Sequence, residues 1–187
     1  MNLPNTLTLL RIVIIPVFIL VFYLPFKWSN LLACLLFSLA ALTDLLDGYL
    51  ARKLGQTSRL GAFLDPVADK LMVAVVLVLL VQQKPELYLA LPAAVIIGRE
   101  ITISALREWM AELGARSKVA VSIFGKVKTV IQMIALILLI YSDSVFGIPI
   151  YTIGVILLYI AVILTLWSMF EYLYSAWPKL IESVKKQ

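Results

Sequence analysis

Long apolar runs separated by short polar clusters dominate the chain. The first run begins after Arg11 and continues to Phe26, and similar runs recur to about residue 173. A mostly apolar run of about 20 residues is long enough to cross a bilayer as a helix. Clusters with a proline or several polar residues, such as 82–85, separate the runs. The pattern predicts six helices, over about 7–26, 31–53, 61–82, 87–112, 120–141 and 150–173.

The composition favours a membrane location for these helices. Of 187 residues, 63% are hydrophobic and 14% charged, whereas a soluble domain is about 25% charged. The chain has no histidine, which excludes histidine acid–base chemistry and the usual zinc sites. Its single cysteine, Cys34, cannot form an internal disulfide. We therefore expect an all-α integral membrane protein, a single domain over 1–187, with six transmembrane helices in one bundle and a short interfacial segment at the N-terminus.

The positions of the cations predict the orientation. If the N-terminus is cytoplasmic, the outer turns carry only Lys27 and Lys84 of the sixteen Lys and Arg residues. That asymmetry fits the positive-inside rule and predicts that both termini are cytoplasmic. The net charge of +5 then reflects a basic cytoplasmic face beside anionic lipids rather than binding to nucleic acid.

Four aspartates lie close together in the stretch 43–70. Asp44 and Asp47 are three residues apart and Asp65 and Asp69 four apart, so each pair falls on one face of its helix. The polar run 52–59 suits a turn that folds the two helices back on each other. Four carboxylates gathered in a low-dielectric site require cations, and Mg2+ or Mn2+ prefers such oxygen ligands. The alternative is a set of helix caps and ion pairs, although buried charge in a membrane is usually functional.

The same stretch resembles a known family signature. Its eight fixed positions follow the pattern Asp44-x2-Asp47-Gly48-x2-Ala51-Arg52-x8-Gly61-x3-Asp65-x3-Asp69. This pattern is similar to the signature of the CDP-alcohol phosphatidyltransferase family. Further matches extend the resemblance towards the bacterial members that use glycerol 3-phosphate. These matching segments are Asn5-Thr6-Leu7-Thr8 with Arg11, Gly98-Arg99-Glu100, Arg107 to Ala111, and Gly125 to Thr129.

The resemblance implies a reaction and its setting. It implies transfer of a phosphatidyl group from CDP-diacylglycerol to sn-glycerol 3-phosphate, which gives phosphatidylglycerol phosphate and CMP. It also implies a homodimer. We expect this protein in the inner (cytoplasmic) membrane, in contact with membrane lipids, with its active site on the cytoplasmic face that the cation distribution predicts. The alternatives keep the chemistry and change the acceptor to inositol phosphate, serine or phosphatidylglycerol.

The resemblance also assigns roles to residues. It makes Asp44, Asp47, Asp65 and Asp69 the ligands of Mg2+ or Mn2+, for which we expect two ions, and makes Asp69 the general base as well. A carboxylate base agrees with the lack of histidine. The residues expected to bind CDP-diacylglycerol are Gly48, Arg52 and Ser58.

A phosphate-bearing acceptor requires a basic pocket beside the metal ions. The inner halves of the fourth and fifth predicted helices, with the turn between them, carry six cations, from which we assign Arg99, Arg107 and Lys126 to the acceptor phosphate. Arg99 lies well inside a span, where it either binds phosphate or pairs with Glu100, Glu108 or a motif aspartate. Arg116, Lys118 and Lys128 fit the positive-inside interface equally well. Thr8 and Arg11 either border the pocket or belong to the start of the first helix.

A different class of function is a cation transporter that uses the carboxylates as its ion site. Such a protein more often has internal repeats or helices broken at the membrane midplane. Here the acids lie towards one face and are accompanied by Gly48, Arg52 and Gly61 at the signature spacing. The enzyme is therefore the stronger hypothesis.

Overall fold

The described part of the chain forms six helices. The computed structural model describes the backbone of 3–54, 59–112, 123–144 and 147–184, and their side chains except those of 3–5, 44–54, 59–60, 62–63, 123–126, 179–180 and 182–184. The helices are α1 Leu3–Phe22, α2 Ser29–Leu54, α3 Arg59–Gln83, α4 Leu87–Glu112, α5 Ile123–Tyr141 and α6 Ile150–Val184. The prediction of six helices is confirmed.

The limits of the first helix differ from the prediction at both ends. α1 begins at Leu3 rather than near residue 7, so residues 3–6 of the predicted interfacial segment are continuous with the first helix, and the interfacial location stays a prediction. Pro4 is compatible with this turn, because the backbone N–H groups there have no partner within the helix. α1 ends at Phe22 rather than near residue 26, since Pro25 disfavours the helical conformation of the residue before it.

The last helix is longer than predicted. α6 was expected to end near residue 173 but continues through Pro178 to Val184. Tyr172 and Ala176 on α6 are buried in a small apolar cluster with Ile103, Leu106 and Met110 of α4. This packing stabilises the extra turns, and the local cost of Pro178 does not end the helix.

The helices pack as one bundle around a common apolar core. α1 contacts α2 and α3, α2 contacts α5, α3 contacts α4 and α5, and α6 contacts α4 and α5. Each helix contributes fully buried residues to this core, among them Phe18, Phe37, Val76, Ile96, Leu136 and Leu158.

The outer surface of the bundle is apolar as well. By length and composition, α4 and the Ile150–Pro178 part of α6 are the helices among the described residues that are suited to crossing a membrane. Every helix also carries exposed apolar side chains, for example Leu20, Leu35, Val78, Ile101, Ile134 and Ile163. So much exposed apolar surface is typical of contact with lipid rather than water. Both observations indicate a membrane protein.

Three of the turns between helices meet at one end of the bundle. The hydroxyl of Tyr23, after α1, donates to Oε1 of Gln82 near the end of α3 at 3.3 Å. Lys84, after α3, donates from Nζ to the Oγ of Ser142, after α5, at 3.4 Å. Its ammonium group also lies 3.5 Å from the ring centroid of Tyr151 at the start of α6. The amino-terminal halves of α1 and α3 and the carboxyl-terminal half of α4 therefore lie towards the other end.

Candidate active site

Two of the predicted metal ligands lie on one face of α3. Asp65 and Asp69 are partly buried and separated by about one helical turn. The hydroxyl of Thr8, a fully buried residue of α1, donates a hydrogen bond to Oδ1 of Asp65. The helical period therefore places both carboxylates on the same side of α3, and α1 covers the first of them.

The other predicted residues of the acidic stretch lie outside the described side chains. This applies to the metal ligands Asp44 and Asp47 and to Gly48, Arg52 and Ser58, which were assigned to CDP-diacylglycerol. The backbone of α2 is helical through Leu54, as predicted. The meeting of four carboxylates stays a prediction.

Asp69 lines a polar cavity formed by four helices. The cavity has a volume of about 240 Å3, below the range of about 300–1,000 Å3 of pockets for drug-sized ligands. Its lining includes Gln132 and Tyr172, and its six charged residues are Asp69, Lys70, Arg99, Glu100, Arg107 and Lys128. The small volume and the six charged lining residues suit a small, charged molecule.

Arg99 is buried in the wall of this cavity and pairs with its neighbour in sequence. Its side chain is 5% exposed, and its NH1 lies 2.5 Å from Oε1 of Glu100. Its NH2 donates to the Oγ of Ser168 on α6 at 2.9 Å, while its buried Nε has no hydrogen-bond partner among the described residues. Arg99 thus both forms the ion pair considered from the sequence and lines the cavity assigned to the acceptor phosphate.

Arg107 is positioned by an aromatic residue of α6. Its NH2 donates to the hydroxyl of Tyr172 at 2.9 Å, and its guanidinium carbon lies 5.2 Å from the centroid of the same ring. Sequence reasoning missed Tyr172, which lies where the sixth helix was predicted to end. The continued run of aromatic residues to Trp177 was the available indication that α6 extends further.

Lys128 belongs to the cavity rather than to the membrane interface alone. It is buried on α5, lines the cavity and places Nζ 3.9 Å from Oε1 of Glu100. From the sequence, Lys128 fitted the positive-inside interface equally well. The side chain of Lys126, the residue that was assigned to the acceptor, lies outside the described residues, as do Arg116 and Lys118.

The charges of the cavity favour an anionic ligand. Four of its charged lining residues are cations and two are carboxylates. Arg99 and Lys128 are buried, whereas Lys70 is partly buried and Arg107 exposed. Buried cations without enough counter-charge are costly, and a bound dianion such as a phosphate monoester lowers that cost. Arginine side chains also suit phosphate, because the guanidinium group can donate two parallel hydrogen bonds.

The donor atoms at the end of α3 suit a hard divalent cation. Asp65 and Asp69 offer carboxylate oxygens, and Mg2+ commonly binds one or two carboxylates while it keeps several waters. Among the described side chains, no group of three or more acids, cysteines or histidines is gathered tightly enough to hold an ion by itself. The resemblance assigns the further protein ligands to Asp44 and Asp47, which lie outside the described side chains. The two described carboxylates fit the predicted metal.

Comparison with known proteins gives a consistent result. The sequence model of the CDP-alcohol phosphatidyltransferase family matches residues 1–167. A protein of Sodalis glossinidius named CDP-diacylglycerol–glycerol-3-phosphate 3-phosphatidyltransferase is 57% identical over 97% of this chain and 98% of its own length. Proteins of the same name from Pectobacterium atrosepticum and Pseudomonas fluorescens are 56% and 55% identical, over 97% and 100% of this chain and 98% and 96% of their own lengths.

Proposed function

The chain belongs to the CDP-alcohol phosphatidyltransferase family, and from this premise we propose that it transfers a phosphatidyl group from CDP-diacylglycerol to sn-glycerol 3-phosphate. The products are phosphatidylglycerol phosphate and CMP. The names and near full-length similarity of the relatives support this choice of substrates. The observation that carries the proposal is the single cavity in which the Asp69 carboxylate lies beside Arg99, Arg107 and Lys128.

Two halves of the cavity perform two tasks on the acceptor. Arg99, Arg107 and Lys128 bind the phosphate group of glycerol 3-phosphate, which fixes its free hydroxyl group relative to Asp69. Asp69 accepts the proton of that hydroxyl as a general base. The hydroxyl oxygen then forms a bond to the phosphorus of the phosphatidyl group, while the bond from that phosphorus to the CMP oxygen breaks.

Glu100 offsets part of the positive charge of the cavity. Its carboxylate lies against both Arg99 and Lys128, so it offsets part of their charge when no phosphate is present. A phosphate group with two negative charges competes for the same donors. This arrangement favours reversible binding of the acceptor over permanent capture of an anion.

The metal site is part of the proposal. Asp44, Asp47, Asp65 and Asp69 hold Mg2+ or Mn2+, two ions in total. When bound, such ions neutralise charge on the pyrophosphate of CDP-diacylglycerol and on the leaving phosphate. Gly48, Arg52 and Ser58 are proposed to contact the CDP-diacylglycerol headgroup, with Gly48 allowing its close approach to the α2 backbone.

The membrane arrangement completes the proposal. All six helices cross the inner membrane, both termini lie in the cytoplasm, and the cavity opens to the cytoplasmic side. Three turns meet at the opposite end of the bundle, through the contacts of Tyr23 with Gln82 and of Lys84 with Ser142. This supports the proposal, because successive helices that cross a membrane run in alternating directions. The proposal also makes the protein a homodimer, as the resemblance implies.

Release of CMP by purified protein in detergent tests the proposal. CDP-diacylglycerol and Mg2+ are supplied with one acceptor at a time: glycerol 3-phosphate, inositol phosphate, serine or phosphatidylglycerol. We expect release that requires glycerol 3-phosphate, stops with EDTA and returns with excess Mg2+. Release with only one of the other acceptors would keep the reaction mechanism and identify that compound, not glycerol 3-phosphate, as the acceptor. No release with any acceptor, from protein that is shown to be folded, would favour ion transport.

A further inference from the structure

The start of α1 buries its polar side chains and exposes its apolar ones. Thr8 and Arg11, three residues apart on one face, are 0% and 1% exposed, whereas Leu10 and Val13 are 48% and 58% exposed. A helix that only anchors the chain in lipid has no need of a buried polar face. The face with Thr8 and Arg11 therefore lies against the interior of the bundle, although neither residue lines the cavity of Asp69.

Thr8 uses its hydroxyl group for a contact across the bundle. A threonine in a helix can donate to the carbonyl group of the preceding turn, as Thr102 does to Gly98 in α4. Thr8 donates to Oδ1 of Asp65, fifty-seven residues away in the sequence. From this geometry we propose that Thr8 is a positioning residue that orients the Asp65 carboxylate for the metal ion, an inference that rests on the proposed function.

The chemistry of the contact suits that role. A carboxylate that accepts one hydrogen bond on Oδ1 keeps further lone pairs on both oxygens for a cation. A hydroxyl donor carries no charge, so it restricts the rotation of the carboxylate without the competition that a lysine or arginine would bring. Such outer partners of a ligand typically change metal affinity by 10- to 100-fold when they are removed.

Direct measurement of Mn2+ binding tests Thr8 independently of turnover. The EPR signal of free Mn2+ gives the dissociation constant for purified protein in detergent, without substrate. We expect Thr8→Val to weaken binding by about 10- to 100-fold and Thr8→Ser, which keeps the hydroxyl, to restore it. Thr102→Val removes a hydroxyl that bonds within its own helix and is the matched control, with unchanged affinity.

Turnover provides the second readout of the same variants. The Mg2+ concentration for half-maximal CMP release should rise for Thr8→Val in parallel with the Mn2+ dissociation constant, while kcat recovers at high Mg2+. If Thr8→Val does not yield folded protein, Thr8→Ala removes the same hydroxyl group with a smaller side chain. Thermal unfolding without metal identifies variants that fold normally.

Asp65→Asn separates failure of the inference from failure of the proposed metal site. Loss of Mn2+ binding in Asp65→Asn with wild-type affinity in Thr8→Val would overturn the role of Thr8 and keep the metal site. Unchanged Mn2+ binding in both variants would overturn the metal site at Asp65 as well. Equal losses in Thr8→Val and Thr8→Ser would assign Thr8 to packing and overturn the inference.

Discussion

At the scale of single residues, the cavity combines groups whose effects on catalysis can be separated. Asp69 is assigned to the proton of the attacking hydroxyl, whereas Arg99 is assigned to a phosphate group that does not react. A residue that acts only in the transition state changes kcat, and one that binds the substrate changes KM. The two assignments therefore predict different kinetic results.

Asp69→Asn keeps the shape of the side chain and removes its ability to accept a proton. We expect kcat for CMP release to fall by at least about 100-fold, which is the lower range for the loss of a general base. Binding of CDP-diacylglycerol should remain detectable by equilibrium binding of a labelled substrate. Near-normal turnover would exclude Asp69 as the base.

Arg99→Ala removes a buried guanidinium group from the cavity wall. Hydrogen bonds to charged groups contribute about 1.5–3 kcal/mol, so the KM for glycerol 3-phosphate should rise by roughly 10- to 100-fold while the KM for CDP-diacylglycerol changes little. Lys84→Ala is the control, because Lys84 lies at the other end of the bundle. An equal rise in both KM values would move Arg99 out of the acceptor site.

At the scale of helices, the contact between α5 and α6 depends on a glycine. A Cβ atom at Gly154 would lie 3.0 Å from Cγ of Leu139 and 3.2 Å from Cβ of Leu138. The two helices can approach this closely because the position has no side chain. Gly154 thus serves packing within the chain.

Gly154→Ala and Gly98→Ala form a matched pair for this contact. Alanine favours a helix over glycine by about 1 kcal/mol, and a Cβ at Gly98 would meet no atom within 4 Å. Overpacking costs about 1–3 kcal/mol, so Gly154→Ala should be less stable than Gly98→Ala by about that amount. Unfolding in detergent measures the difference, and equal stabilities would show that the α5–α6 contact relaxes without cost.

At the scale of the whole molecule, polar side chains that contact each other lie towards both ends of the six-helix bundle. One end holds the contacts of Tyr23 with Gln82 and of Lys84 with Ser142. The cavity lies on the other side of the core, where α4 carries Arg99, Glu100 and Arg107. If all six helices cross the membrane, these two ends lie on opposite faces.

Cysteine labelling tests this orientation in intact cells. Cys34, the only cysteine, is first replaced by alanine, and one cysteine is then introduced in place of Asp143 or Glu112, which are both exposed. A membrane-impermeant maleimide should label Asp143→Cys from outside, and Glu112→Cys only after the inner membrane is opened. The reverse pattern would invert the topology, and labelling of both would contradict alternating spans.

The sequence alone determined the features that depend on local order along the chain. The apolar period and its polar breaks located six helices, and the limits of α4 were predicted correctly because polar residues flank its apolar run. The four-residue spacing of Asp65 and Asp69 placed both on one face of α3, since that spacing is close to one helical turn. The motif also indicated the family, because its eight fixed positions lie within one short stretch of the chain.

Only the tertiary structure decided which distant side chains meet. The contact of Thr8 with Asp65, the position of Tyr172 beside Arg107 and the inclusion of Lys128 in the cavity depend on how each helix is rotated about its axis and where it crosses its neighbours. Those quantities are set by the packing of the whole bundle, which fills the core at close to crystal density. Local sequence patterns fix the face of a helix but not the partner that this face meets.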